Sequence, residues 1–356
     1  MDILKQTLEK EIENELLHHN EWIDPYDAEV LDNRIIRGVS KRVALFVKSP
    51  FYKFKIFKRR RWDENYILLG IASLNLNNKE NVSKCLHYLK VPEKTSWGLP
   101  VDWHTKDYIF PARTIMSTTT AECIHFLLKV HEKHPDLVQK DYLLKLANNL
   151  LNSLNKVYIN DTEYLFSYTD QDDYQVYNSN LLVASALGCV GKLTKEEQLI
   201  AVSKSIVEVC DKYIPKEGYI PYYFQGDEDS SDAYHQLFSM RSITLLKEYK
   251  VINPDTLNRI SVYFEKTMLN NGKIKLTRKK EIYDLQPYSE ALRFYGIVND
   301  YDIFSQLTEN LSFYKNKKGF SQRIWVWNNK VVKSRTCYHR QGLLRLYCGL
   351  SYKYIE

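Results

Sequence analysis

One short stretch of the sequence places three titratable or proton-carrying side chains close together: Asp232-Ala233-Tyr234-His235-Gln236. Histidine exchanges a proton near neutral pH, and groups of this kind in one place suit general acid–base chemistry. Tyrosine has an ordinary pKa of about 10, so it acts as a base only beside a cation such as Arg or protonated His. Two other stretches that combine aromatic and polar residues each add one candidate, His104 and Tyr338. The predicted catalytic residues are therefore Asp232, Tyr234, His235, Tyr338 and His104.

A second candidate is the stretch Trp97–Arg113, WGLPVDWHTKDYIFPAR, which combines aromatic residues with Asp, His and Arg. Its two prolines and one glycine disfavour a regular element, so we predict a shaped loop. Rigid aromatics beside polar groups are typical of recognition loops. The alternative is an aromatic plug that seals one end of a helical bundle.

Similar combinations of aromatic and hydrogen-bonding residues recur along the chain. Aromatic faces beside a few polar groups suit the binding of pyranose rings. The predicted substrate-binding residues are Trp97, Asp102, Trp103, Tyr108, Arg113, Tyr168, Tyr177, Asn178, Asn180, Tyr222, Tyr288, Glu290, Trp325, Trp327, Arg335 and Arg340.

Several of these residues also have a purely structural interpretation. Tyr177, Tyr234 and Tyr338 would serve equally well as hydrophobic staples at helix entries. Asn178 and Asp232 are residue types that commonly cap a helix or occupy its first turn. The sequence leaves both interpretations open for each residue.

The elements that must position these residues form a repeat. Predicted helices open at Tyr66, Thr118, Tyr177, Tyr234, Tyr288 and Tyr338, at spacings of 52, 59, 57, 54 and 50 residues. That spacing fits a helical hairpin followed by a short aromatic, strand-like excursion. We therefore predict an all-α fold, an (α/α)6 toroid of helical hairpins with short β excursions at the mouth. An open helical solenoid is the alternative.

Composition narrows the class of protein. The 356 residues have 26% charged and 44% hydrophobic content and a net charge of +6, which permits an acidic partner without requiring one. No signal peptide and no membrane-spanning run is visible, and the six cysteines resemble buried free thiols of a reducing cytosol. Nucleotide-binding, metalloprotease and α/β-hydrolase motifs are missing from the sequence. We predict no cofactor, no metal, no nucleic-acid partner and a cytoplasmic protein.

The segment 34–61 contains eleven Lys or Arg residues and no acidic residue. Such a segment can lie on an anionic membrane or hold a polyanion, although a solvated basic face is the simpler interpretation. We divide the chain into N-terminal helices with this basic segment, residues 1–61, and a toroid domain, residues 62–356, continuous with them. A peripheral contact with the inner face of the membrane or with a synthesis complex is predicted through Arg34–Arg61.

Several blocks of the chain resemble a known family. The blocks WIDPYDAEVLDNRII, SWGLPVDWHTKDYIFPAR and YNSNLLVASAL are similar to the helical-toroid polysaccharide biosynthesis proteins of bacterial exopolysaccharide and capsule clusters. The resemblance extends over residues 22–350. It implies an (α/α)6 barrel that acts on glycans, related more distantly to glucuronyl C5-epimerase C-terminal domains and to other (α/α)6 carbohydrate-active enzymes. Asp232-Ala-Tyr-His235-Gln replaces a more usual Asp-x-x-His-Thr, which leaves the role of Gln236 open.

Three reactions compete for these residues. Glycoside hydrolysis needs two carboxylates that flank the scissile bond, and no pair stands out by its spacing. Uronate lyase and C5-epimerase reactions remove a proton next to a carboxylate, and they need a base, an acid and groups that hold the developing charge. The Tyr, His, Arg and Asn residues supply this second set better. We predict uronate C5 epimerisation of an oligo- or polysaccharide, acidic or lipid-linked; a lyase, a hydrolase and a non-catalytic glycan-binding scaffold are the alternatives.

Overall fold

The structure is a computed structural model that describes residues 2–19, 34–43, 61–105, 108–249, 255–317, 319–328, 330–334 and 340–355. Most of these residues are helical, as the three- and four-residue spacing of apolar side chains predicts. The helices in chain order are α1 (Ile3–Leu17), α2 (Arg34–Val43), α3 (Asp63–Asn75), α4 (Lys79–Tyr88), α5 (Ser117–Lys133), α6 (Lys140–Ser153), α7 (Tyr177–Thr194), α8 (Glu197–Tyr213), α9 (Ala233–Glu248), α10 (Asp255–Thr267), α11 (Leu285–Ile297), α12 (Tyr301–Glu309), α13 (Leu311–Tyr314) and α14 (Arg340–Ser351).

The strands are short and antiparallel, and they fall in the segments between helices. The strands are β1 (Trp103–His104), β2 (Ile109–Phe110), β3 (Lys156–Tyr158), β4 (Tyr164–Phe166), β5 (Leu269–Asn270), β6 (Lys273–Thr277), β7 (Lys280–Asp284), β8 (Lys315–Asn316), β9 (Gly319–Phe320), β10 (Arg323–Trp327) and β11 (Lys330–Lys333). Five of them form one sheet in the order β11-β10-β7-β6-β5, and the others form two-stranded hairpins.

The chain divides into two compact units. The first unit contains residues Met1–Cys85, Leu99–Arg113 and Asn270–Glu356, and the second contains Leu86–Gly98 and Thr114–Leu269. Among the described residues, no helix has both the length and the hydrophobicity that crossing a bilayer requires. The predicted division at residue 61 is not tested by these units and stays a prediction.

The second unit is built on α5, α7 and α9. In α7 every residue from Tyr177 to Gly191 is buried, whereas α8 buries only one stripe that includes Leu199, Ile206 and Cys210. A helix that is buried all round belongs to the interior, and a helix with one apolar stripe covers it. α7 packs against both α5 and α9, with α6 and α8 packed on it from the outside.

The first unit also contains a helix that is buried on all sides. In α3 every residue from Asn65 to Asn75 is buried, and α14 packs against both α3 and α11. α1 also packs on α3 and α14, and the Tyr347 hydroxyl donates to Glu11 at 3.2 Å. The first and last helices of the chain therefore lie side by side in this unit.

Amide side chains attach the aromatic excursions to the interior helices of the second unit. Asn180 of α7 accepts a hydrogen bond from the Phe166 backbone N at 2.7 Å and donates to the Phe166 carbonyl at 2.9 Å. Gln236 of α9 accepts from the Ile220 backbone N at 2.8 Å and donates to the Gly218 carbonyl at 2.8 Å. Gln236, whose role the sequence leaves open, therefore fixes the segment 218–224.

The prediction of a mostly helical fold with short strands is confirmed by these elements. The segment 218–224, GYIPYYF, is one of the excursions that the sequence predicts to be strand-like, but it forms no strand and has an isolated bridge between Tyr223 and Val176. Pro221 interrupts this segment, and a proline has no N–H to donate to a strand ladder.

Candidate functional site

The start of α9 holds a hydrogen-bonded Asp–His pair that is accessible to solvent. Asp232 is the N-cap residue, and one of its carboxylate oxygens accepts from the His235 backbone N at 3.0 Å. The other oxygen, Oδ2, lies 2.6 Å from His235 Nδ1. The side chains of His235 and Asp232 are 22% and 24% exposed, so a ligand can reach both. The carboxylate orients the ring through Nδ1 and turns Nε2 away from the pair.

The environment keeps this carboxylate ionised. Burial alone raises the pKa of Asp232, but the charge of His235 and the hydrogen bonds from His235 and the backbone outweigh it, and the pKa lies below its ordinary value. The helix N-terminus favours the negative charge as well. An ionised Asp232 is therefore available to stabilise His235 when the ring takes up a proton.

Two tyrosines flank the imidazole. The Tyr222 ring lies edge-on to His235 with centroids 4.6 Å apart, and the Tyr234 ring lies 5.2 Å away at 72°. Both tyrosines are partly exposed. The pair therefore has aromatic surfaces beside it on which a sugar ring can stack.

The N-termini of α5, α7 and α9 lie along one edge of the second unit, which we call the rim. Met116, before α5, bridges to Thr169, and the Ser117 backbone N donates to the Tyr168 carbonyl at 3.1 Å. Val176, before α7, bridges to Tyr223 in the segment before α9. These links bring the predicted residues Tyr168, Asn178, Tyr222, Asp232, Tyr234 and His235 to the same edge.

Two residues next to helix starts at the rim each carry a buried polar atom that has no hydrogen-bond partner in the described part of the chain. These atoms are Oδ1 of Asn178, a residue that is 5% exposed, and Oγ of Ser231, which is 3% exposed. Asn178 lies in the first turn of α7, and Ser231 immediately precedes Asp232. Buried polar atoms are nearly always hydrogen-bonded, so an unpaired one calls for an explanation.

Other predicted substrate-binding residues lie in the interior and contact the protein itself. Trp97 is 1% exposed, and its indole N–H donates to the Leu89 carbonyl at 3.2 Å. The Tyr177 hydroxyl donates to the Tyr213 carbonyl at 3.2 Å. In the first unit, the buried Tyr288 donates to the Leu307 carbonyl at 2.6 Å. These contacts and those of Asn180 are structural, and the substrate-binding role of these residues stays a prediction.

The stretch predicted to be a shaped loop contains one short hairpin, in which Trp103–His104 pair with Ile109–Phe110. Leu99–Arg113 belong to the first unit, and Trp97 belongs to the second. Trp103 pairs with Phe110 across β1 and β2, their rings stack at 5.4 Å, and Tyr108 stacks on Phe110 at 5.6 Å. The Asp102 carboxylate accepts from the Ala112 backbone N at 2.7 Å. His104 is partly exposed on β1, and Arg113 is exposed with a φ of 71°.

The remaining predicted residues belong to the C-terminal part of the first unit. Trp325 is partly exposed on β10, whereas Trp327 on the same strand is 76% exposed. Arg335 and Tyr338 lie outside the described residues. Arg340 is the first residue of α14, but its side chain is likewise not described.

The interior of each unit contains buried charges that were not predicted from the sequence. In the second unit Arg241 of α9 pairs with Glu122 of α5, and His125 Nε2 of α5 lies 2.7 Å from the Ser185 hydroxyl of α7. The sequence signal for such buried charges is a charged or titratable residue inside an otherwise apolar helical run, as in TAECIHFLL, which contains Glu122 and His125.

In the first unit the predicted residue Glu290 is fully buried within an ionic cluster on interior helices. Its carboxylate lies 3.0 Å from Arg293 of α11 and 3.8 Å from Arg345 of α14, and Arg345 also pairs with Glu64 of α3. This cluster satisfies the Glu290 charge inside the protein. No group of three or more His, Cys, Asp or Glu residues able to hold a metal occurs within the described ranges.

The chain matches no protein-family model and no curated protein sequence. It is similar in structure to cellobiose 2-epimerase from Bacillus thermoamylovorans, with 12% identity, a TM-score of 0.55 and coverage of 81% of this chain and 86% of that one. It is also similar to a D-mannose isomerase, with 14% identity, a TM-score of 0.53 and coverage of 82% and 85%. A third is a possible GH105 family member from Salmonella enterica, with 10% identity, a TM-score of 0.56 and coverage of 82% of both.

These similar structures are carbohydrate-active enzymes with helical-toroid folds. At this level of sequence identity the likeness establishes the type of fold. It agrees with the distant part of the sequence resemblance, to (α/α)6 carbohydrate-active proteins.

Proposed function

We propose that the protein is a carbohydrate-active enzyme that epimerises a sugar residue by proton transfer. The observation that carries this proposal is the accessible Asp232–His235 pair, with 2.6 Å between Oδ2 and Nδ1, between two partly exposed tyrosines. Epimerases and an isomerase among the similar solved structures support the same class of reaction.

In this proposal His235 is the base. Hydrogen bonding of Nδ1 to Asp232 presents Nε2 to a sugar C–H that is acidified by a neighbouring carboxylate or carbonyl group. The ionised Asp232 stabilises the imidazolium that forms. Return of a proton to the other face of the carbon inverts its configuration, and Tyr234 is the proposed donor from that face.

The rim also supplies groups for binding. Tyr222 and Tyr168 provide aromatic surfaces for stacking on a pyranose ring. Asn178 Oδ1 and Ser231 Oγ, which have no partner in the described chain, would accept hydrogen bonds from sugar hydroxyls. A ligand that satisfies both atoms removes the cost of leaving them unpaired.

The substrate we propose is a uronate residue of a cell-surface polysaccharide, capsule or exopolysaccharide, epimerised at C5 in the cytoplasm. The sequence resemblance to polysaccharide biosynthesis proteins supports this choice, and the net charge of +6 permits an acidic glycan. A lipid-linked glycan is compatible with the same chemistry. Closure of the six predicted helix pairs into an (α/α)6 toroid is part of the same proposal.

A polysaccharide lyase is the second candidate, because elimination begins with the same removal of a proton by His235. Hydrolysis is less well supported, because it needs a carboxylic acid and a second carboxylate across the bond, whereas Asp232 is engaged by His235. A non-catalytic glycan-binding component remains the alternative outside enzymes.

Incubation of the purified protein with uronate-containing polysaccharides in D₂O separates these candidates. Deuterium at C5 without chain shortening supports the epimerase, an absorbing unsaturated end identifies a lyase, and new reducing ends identify a hydrolase. The His235→Asn variant is the control, because it should abolish the exchange while keeping the fold. Binding of glycan without any of these products would overturn the proposed reaction.

A further inference from the structure

The helix α2, Arg34–Val43, carries an apolar face that is open to solvent. Ile35 is 76% exposed, Ile36 49%, Val39 52% and Val43 40%. Aliphatic side chains of this size ordinarily form the face by which an amphipathic helix packs on its protein. Four of them exposed on one ten-residue helix therefore mark a surface that contacts something else.

The spacing of these residues gathers them on one side of the helix. At about 100° per residue, Ile35, Val39, Val43 and Ile36 fall within an arc of about 100°. In the same helical projection of the sequence, the basic positions fall outside this apolar arc, and position 42 lies at its border. The basic positions are Arg34, Arg37, Lys41 and Arg42.

The charge of this part of the chain indicates what the apolar face contacts. Residues 34–61 include eleven Lys or Arg and no Asp or Glu, in a protein whose net charge is +6. An apolar helical face together with a polybasic run supplies the two signals, burial and electrostatic attraction, that hold a protein on anionic lipid. A neutral apolar groove of another protein would gain nothing from the basic residues.

We propose that α2 lies in the interface of an anionic lipid bilayer, with Ile35, Val39 and Val43 inserted among the acyl chains and the basic residues at the headgroups. The helix is about 15 Å long at 1.5 Å per residue, which suits an orientation parallel to the surface and not across it. This inference does not depend on the proposed reaction.

Vesicle co-sedimentation of the full-length protein tests the proposal. Vesicles with equal parts of phosphatidylcholine and phosphatidylglycerol should bind the protein at least about tenfold more strongly than pure phosphatidylcholine, and high salt should reduce that difference. The double substitution Ile35→Gln with Val39→Gln should weaken binding to the mixed vesicles about tenfold or more, because two apolar insertions are lost.

A matched control uses Val331 and Val332 of β11, which are 51% and 52% exposed. The double substitution Val331→Gln with Val332→Gln should leave vesicle binding unchanged, and circular dichroism should show both variants folded. Failure of the wild-type protein to bind mixed vesicles, or full binding by the Ile35/Val39 variant, would overturn the proposal. Concentration-dependent dimerisation that the same variant abolishes would instead identify a second copy of the chain as the occupant, and would also overturn it.

Discussion

Helix α9 participates in two charged pairs that differ in their access to solvent. At its first turn, Asp232 and His235 form a pair with side chains 24% and 22% exposed; less than two turns on, Arg241 pairs with Glu122 at 2% and 7% exposure. The buried pair is almost closed to solvent and joins α9 to α5. Both members of the pair at the rim lie at the start of α9, so their ion pair links no second helix. Similar attractions thus hold helices together in the interior and, in the proposed function, serve chemistry at the edge.

The largest effect should come from His235. We expect His235→Asn to lower the rate of C5 exchange by about 10²–10⁴-fold, because general acid–base catalysis by a positioned side chain contributes about that much. The melting temperature should stay close to that of the wild type, because the ring packs against partly exposed tyrosines. Both are measured on one preparation, by exchange in D₂O and by calorimetry. A large loss of stability with intact specific activity would mean that the rim pair is structural.

Replacement of Arg241, in contrast to that of His235, should lower the stability of the protein. Replacing it with Met leaves the Glu122 carboxylate buried without its cation, and removal of one partner of a buried pair costs about 3–5 kcal/mol in the free energy of unfolding. The double variant Glu122→Gln with Arg241→Met should recover much of that loss. Urea unfolding measures both, and equal destabilisation in the single and double variants would contradict this account.

Asn178 and Asn180 offer the sharpest matched comparison, because they are two residues apart in α7. Asn180 makes hydrogen bonds to Phe166 and to the Val176 carbonyl, so Asn180→Leu should lower the free energy of unfolding by about 2–3 kcal/mol. Asn178 Oδ1 has no partner in the described chain, so Asn178→Leu should change stability little.

The same pair of variants should differ in substrate binding. We expect Asn178→Leu to raise KM about tenfold, the effect of losing one good hydrogen bond to a ligand. Steady-state kinetics on the folded variants decide the matter. A strongly destabilised Asn178→Leu with unchanged KM would assign this residue to the interior.

The last prediction concerns acid stability. Burial is the main reason that the pKa of His125 falls from 6.5 to about 3 in the folded protein, with Arg241 adding to the fall and Glu122 opposing it. Between these pH values the unfolded chain binds a proton that the folded chain excludes. Stability is therefore complete above about pH 6.5 and declines on acidification, by at most about 1.4 kcal/mol per pH unit.

His125→Gln should flatten that decline, because glutamine can still hydrogen-bond to Ser185 but does not titrate. Urea unfolding of both proteins between neutral and mildly acidic pH gives the two slopes. Identical slopes would mean that other groups control acid unfolding.

The proximity of Asp232 and His235 could be predicted from the sequence because the two residues are close neighbours in the chain. Asp232 and His235 are three residues apart at a helix start, which is the spacing of a capping interaction, and their proximity follows from the helix alone. The helices likewise follow from apolar spacing within each segment. In these cases the physics that creates the structure acts over a few neighbouring residues.

The buried pairs could not be predicted in the same way. Glu122 and Arg241 are 119 residues apart, and only the packing of α5 and α9 on α7 brings them together. The sequence also does not distinguish Asn178 from Asn180, since both are asparagines at one helix start. Their difference depends on which side of α7 meets Phe166, a property of tertiary packing.

The contact between the first and last helices has a consequence for synthesis on the ribosome. Lys353 pairs with Asp2 at 3.2 Å, and α1 rests on α14 as well as on α3, so α1 lacks part of its packing surface until α14 has been made. The second unit, from residue 114 to 269 with a short preceding segment, has all of its interior helices long before that point. We expect it to become protease-resistant on nascent chains before α14 covers α1 and α3.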